Sequence, residues 1–137
     1  SRHETVFYRG KKGLKALFDD QLKAKEILML GATPKAMEHL QFYFPHFDRQ
    51  RVKSRVRVRL LFDQRIKGQS YVKKIPLSES RILQVAKPQD VVACIYGDSV
   101  AIITFAESPF GVLIREQAIA EQYRNYFSLL WSRATSL

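Results

Sequence analysis

The chain has 137 residues, 46% of them hydrophobic, and a formal net charge of +10. That is enough apolar surface for a single domain over residues 1–137. No apolar run reaches membrane-span length, no signal peptide opens the chain, and the single cysteine excludes an intramolecular disulfide. The expectation is a cytoplasmic protein without membrane contact.

In chain order, Thr5-Val6-Phe7-Tyr8 is predicted as a short strand ending at Arg9-Gly10. Lys11 to Leu22 places Leu14, Leu17, Phe18 and Leu22 on one face of an amphipathic helix. Glu26 to Gly31 is continuously apolar through Ile27-Leu28-Met29-Leu30, as in a strand covered on both faces. Thr33 is a helix cap with Pro34 at the first helical position, and Met37, Leu40, Phe44 and Phe47 continue the stripe. Pro45 should break this helix and restart it through Val52. Arg55 to Asp63 alternates arginine with apolar residues and then turns wholly apolar at Leu61-Phe62, a strand with one wet face at its start. Gln64 to Ser78 reads as loop, and Ser80 to Ala86 as another strand.

Three apolar runs follow: Val91–Tyr96, Ser99–Phe105 and Phe110–Ile114, separated by Gly97-Asp98 and Glu107-Ser108-Pro109. A closing helix aligns Ile119, Tyr123, Tyr126, Phe127, Leu130 and Ala134, with Leu129 and Trp131 off that stripe. The order predicts an α/β fold: a mixed sheet flanked by helices, parallel where helices connect the early strands and antiparallel where turns are short.

Little in the sequence carries chemistry. His3, His39 and His46 have no partner at ligand spacing and Cys94 stands alone, so neither a metal nor a cofactor is expected. Arg9-Gly10-Lys11-Lys12-Gly13 lacks the spacing of a phosphate loop, and no G-x-S-x-G elbow exists. Asp19 and Asp20 are expected on the exposed part of a helix, and Asp98 in a hairpin turn. The densest basic run, Arg49, Arg51, Lys53, Arg55, Arg57 and Arg59, reads as a solvated face rather than an anion site. Arg9, Thr33 and Asp63 all end predicted strands, where open α/β sheets collect ligands. These three are the candidate ligand-binding residues.

Together, Phe7-Tyr8-Arg9-Gly10, Glu26-Ile27-Leu28, Arg51-Val52-Lys53, Arg57-Val58-Arg59-Leu60-Leu61-Phe62, Ile95-Tyr96-Gly97-Asp98, Pro109-Phe110-Gly111 and Tyr123-Arg124-Asn125-Tyr126-Phe127 carry a resemblance. Over Thr5 to Ala134 the chain resembles the C-terminal domain of TrmB-like archaeal transcriptional regulators. The resemblance implies a phospholipase D-like fold, a homodimer, and DNA contact through an upstream winged helix-turn-helix. Ser1 in place of a methionine fits a domain cut from such a longer chain. Sugar binding, tied in that family to an additional β-rich module, is not carried over.

Enzymes of the phospholipase D fold use His-x-Lys-x4-Asp, the histidine as nucleophile and the lysine against developing charge. Here Thr5, Gln41 and Asp48 stand two places after the histidines, and the motif places fall near Asp90, Val92 and Gly97. The expectation is therefore no enzyme: an effector-sensing, dimerising domain without catalysis. The alternatives are a basic nucleic-acid-binding module and a phosphodiesterase with an altered site.

Overall fold

The apolar runs become strands of one sheet, and the amphipathic segments cover its two faces. A computed structural model describes residues 3–137, so Arg2, where the basic spread of the sequence begins, lies outside the described residues. The elements are β1 (Glu4–Arg9), α1 (Gly10–Gln21), β2 (Glu26–Ala32), α2 (Pro34–Leu40), α3 (Phe44–Ser54), β3 (Arg57–Phe62), β4 (Ser78–Ile82), β5 (Val91–Tyr96), β6 (Ser99–Thr104), β7 (Phe110–Arg115), α4 (Gln117–Arg133) and β8 (Thr135–Ser136). Among the described residues, the eight strands lie in the order β1-β7-β6-β5-β2-β3-β4-β8.

Three features of the sheet depart from expectation. The strands β2, β3 and β4 are parallel neighbours, but β1 is not beside β2; it pairs antiparallel with β7 at the far edge. The strands β5, β6 and β7 separate the two, because tight turns let them return as an antiparallel ribbon along β2. Cross-strand contacts hold β1 in that place: Arg115 Nε donates to Glu4 at 3.0 Å, and the Phe7 and Phe110 rings stack at 5.1 Å. The strand expected over Ser80–Ala86 instead spans Ser78–Ile82. It stops because the Gln64 amide takes both backbone groups of Val85, accepting from its N–H at 3.0 Å and donating to its carbonyl at 2.9 Å. The short strand β8 forms where the sequence pattern shows only a helix end and a tail.

Side-chain alternation divides the core in two. Ile27, Met29, Val58, Leu60 and Cys94 face α1, α2 and α3, whereas Leu28, Leu61, Ile95 and Val100 face α4. Buried among apolar residues, the Cys94 thiol is pushed up to about 12. The helix α4 is fixed by Ala120, Phe127 and Trp131, so Trp131 is a core residue while Tyr126 and Leu129 are exposed. A seventeen-residue helix crossing the sheet at a slant presents Trp131 to β4, where Arg81 lies 4.5 Å over its ring.

The expected solvated basic face holds at Arg49, Lys53, Arg55 and Arg57, which are exposed, but not at Arg51, which is completely buried. Its guanidinium donates to Asp48 at 3.0 Å and 3.3 Å, to Val56 O at 2.9 Å, to Pro76 O at 2.7 Å and to Leu77 O at 3.4 Å. Arg51 therefore satisfies carbonyls at the end of α3 and ties that end to the segment before β4. Asp20 is likewise not an exposed helix carboxylate. It accepts from Tyr96 at 2.8 Å and from Arg115 at 3.1 and 3.2 Å, joining α1 to the end of the sheet opposite Thr33. Burial pushes its carboxyl up, but bonds from Tyr96, Lys23 and Arg115 outweigh burial and hold it below the ordinary range.

Candidate functional site

The central strands β2 and β3 end side by side, and their last residues project a polar cluster at the sheet edge. The end of β2 is irregular at Gly31, where φ is +84° and an added Cβ would meet Val91 O at 2.9 Å, so a side chain has no room. This sharp exit presents Thr33, whose Oγ1 accepts from Lys35 N at 3.2 Å to cap α2. The same hydroxyl donates to Asp90 Oδ1 at 2.8 Å. Just past the end of β3, Asp63 Oδ1 accepts from Arg65 N at 2.9 Å and starts a short 3-10 turn.

Arg65 closes the cluster. Its Nε and Nη2 grip the Asp63 carboxylate at 3.0 and 2.9 Å, Nη1 reaches Asp90 Oδ1 at 2.9 Å, and Nη2 also donates to Gln89 O at 3.1 Å. Burial pushes the Asp63 carboxyl up, but the bonds from Arg65 outweigh it and hold the group below its ordinary value. The same pairing, with the Asp63 bond foremost, raises Arg65. The three charged groups sum to one negative charge, and Arg65 keeps part of its fork open to solvent.

Of the three residues expected from sequence, the structure brings Thr33 and Asp63 together, bridged through Asp90 and Arg65. Arg9 stands apart. β1 lies four strands from β2, about 19 Å at the usual strand spacing, and Arg9 rests 4.5 Å over its own neighbour Phe7. Sequence reasoning missed Arg65 and Asp90 as cluster members. Arg65 was signalled by its place two residues after a strand-ending aspartate, which favours a side-chain-capped turn. Asp90 opens an antiparallel strand, so it shares the edge where β2 and β3 close.

Behind Thr33 a cavity of about 80 Å³ runs between the sheet and α2–α3. Its apolar walls combine Phe18, Phe44, Phe47 and Phe62 with Met29 and aliphatic residues such as Val58 and Leu60, and Thr33, Asp48, Arg51 and Tyr71 are the polar members. Burial raises the Asp48 carboxyl, and the charge and hydrogen bonds of Arg51 offset this only in part. Among the described residues, no group of three or more His, Cys, Asp or Glu side chains converges as metal ligands do. Nor is any helix among them long and apolar enough to cross a membrane.

Solved structures share this architecture. NucT from Helicobacter pylori superposes with a TM-score of 0.76 at 10% identity, covering 99% of this chain and 100% of that one. Nuc from Salmonella typhimurium, a phospholipase D family member, gives 0.70 at 15% identity, with 99% of both chains covered. The chain has a phospholipase D-like fold. TrmBL2, an archaeal chromatin protein whose structure shows a novel mode of DNA binding, gives 0.65 at 16% identity over 97% of this chain. The chain spans 54% of the length of that chromatin protein. No protein-family model and no curated protein sequence matches.

These likenesses correct the expectation that the chain is no enzyme. The same arrangement of strands carries a phospholipase D family member from end to end, so the fold gives no ground for expecting a chain without catalysis. Absence of the His-x-Lys-x4-Asp spacing removes one disposition of catalytic groups, not the reaction class.

Proposed function

We propose that this chain is the association and effector-binding part of a DNA-associated regulator. The observation that carries the reading is the extent of the likeness to the archaeal chromatin protein: nearly all of this chain against about half of that DNA-binding one. In this reading, sequence-specific DNA contact belongs to a segment beyond these residues. The chain itself meets DNA only through its positive charge, since among the described residues no element pairs a basic face with a groove-sized projection.

Association is assigned to the sheet face shared with α4. That helix packs on β6, β5 and β2 and reaches β4 through Trp131, while residues of β1, β5 and β7 at the far end of the same face stay exposed. Phe7 is 50% exposed, Val91 43% and Phe110 36%, all on the α4 side by strand register. Tyr126 and Leu129 extend the apolar surface along the helix. A patch of this kind suits an isologous contact between two copies. Light scattering tests it: the chain should be a dimer, and Phe7→Ser with Phe110→Ser should shift it to monomer. A strict monomer at high concentration would refute the assignment. The effector site is assigned to the Thr33–Asp63 edge and the cavity behind it.

A second reading, phosphodiester chemistry, is favoured by the end-to-end coverage of Nuc and NucT. Its test is hydrolysis of a chromogenic phosphodiester by the purified chain. Turnover that disappears in Asp90→Asn would establish this reading and displace the regulatory one; no turnover above a heat-treated control would remove it.

A further inference from the structure

The cavity behind Thr33 has a polar inventory that selects its ligand. Arg51 would be the obvious anion hook, yet each of its five N–H bonds already meets an acceptor: two go to Asp48 Oδ1 and three to backbone carbonyls. It has nothing left to offer a bound molecule. Both of its bonds to Asp48 fall on Oδ1, and among the described residues no protein donor reaches Oδ2. Asp48 lines the cavity and keeps 26% of its side chain accessible. Thr33 Oγ1 donates its O–H to Asp90 and accepts one N–H from Lys35, so only an acceptor lone pair remains. The Tyr71 hydroxyl serves either way. The rest of the wall is apolar, with the rings of Phe18, Phe44, Phe47 and Phe62 beside aliphatic residues such as Val58 and Leu60. With the Arg51 charge balanced by Asp48, the uncommitted oxygens of Asp48 and Thr33 are acceptors, and only Tyr71 could donate, so the lining favours an ammonium ion over an anion.

Size narrows the class further. At about 80 Å³ the space is roughly half of the ~150 Å³ apolar cavity known to admit benzene. We infer that the cavity between the sheet and α2–α3 binds a short aliphatic primary amine as its ammonium ion, the nitrogen on Asp48 Oδ2 and the alkyl group among the rings. This deepens the effector-binding reading by naming the ligand class, and rests on it for any regulatory consequence.

The probe is isobutylamine, titrated into the isotope-labelled full chain by NMR, with isobutyrate and benzylamine in parallel. Saturable shifts should centre on Thr33, Ala36 and Tyr71, with isobutylamine binding at least about tenfold tighter than isobutyrate, as a charge-assisted bond implies. Benzylamine should bind more weakly because its ring overfills the space. Ala36→Leu, which fills the wall without touching Asp48, should abolish the shifts while the spectrum stays folded; Asp48→Asn should weaken isobutylamine about tenfold. Equal or tighter isobutyrate binding, no saturable shifts, or shifts that survive Ala36→Leu would overturn the inference. Intact amine binding in a chain that stays monomeric and ignores DNA would instead overturn the regulatory reading and leave the site standing.

Discussion

Replacing Arg51 with methionine is the sharpest test of the packing. The side chain is fully buried, and its loss strands the Val56 and Pro76 carbonyls together with the half-buried Asp48 carboxylate, while Leu77 O keeps only its bond from Val58 N. Removing one partner of such a pair costs about 3–5 kcal/mol. That is a large share of the roughly 5–15 kcal/mol holding a typical domain. For a chain of this length the loss corresponds to a fall in Tm of about 10–20 °C. Urea unfolding followed by circular dichroism and by the fluorescence of Trp131, on the opposite face of the sheet, gives the difference directly. Lys53→Met, on the same helix but exposed, should change stability by less than about 0.5 kcal/mol. Adding Asp48→Asn to Arg51→Met should recover part of the loss, since the stranded charge is then gone. An Arg51→Met protein within about 1 kcal/mol of the parent would refute the buried staple and restore a solvated basic face.

Other outcomes follow from the same geometry. Gly31→Val should be destabilised by at least about 2 kcal/mol in thermal unfolding, because φ is +84° there and Val91 O stands 2.9 Å from the new Cβ. Asp20 and Asp63 have lowered carboxyls, so the stability they contribute is present above the ordinary carboxylate range and lost as pH falls through their folded values. Asp48, raised by burial, has the opposite sign: its contribution is present below the ordinary range and lost as pH climbs past its folded value. Asp20→Asn should therefore cost about 2 kcal/mol at pH 7 and much less near pH 2.5, measured by urea unfolding at both. Equal losses at the two pH values would contradict the ionised network around Tyr96 and Arg115. Trp131→Ala should cost about 3–5 kcal/mol in the same assay, as a core aromatic does, where a surface position would be nearly silent.

The elements were more legible in the sequence than their neighbours. Turn residues and apolar runs located the strands, and Thr33-Pro34 announced the start of α2 because capping is a local property. Which strand lies beside β1 is not local. A β-α-β order suggests adjacency, and only the return of the β5–β7 ribbon along β2 shows that the slot is filled. Arg51 was readable in part: it continues the spacing of Phe44 and Phe47 on the buried side of α3, a pattern overshadowed by its basic neighbours. At the candidate site, Thr33 and Asp63 could be found as strand-end residues. Their link through Arg65 and Asp90 spans 25 residues and arises only from the antiparallel placement of β5. Arg9 met the same strand-end rule and failed it, since that rule fixes the edge of the sheet and not the position along it.

The measurement that bears most directly on the proposed function is DNA titration. A panel of unrelated duplexes of equal length, titrated with this chain at 50 and 200 mM salt, separates charge-driven contact from sequence reading. Binding should be weak, with affinities within about threefold across the panel and a steep common loss at the higher salt, where counterion release drives phosphate contacts less strongly. Strong preference for one duplex, retained at 200 mM salt, would contradict the proposed function and make this chain the sequence-reading part itself.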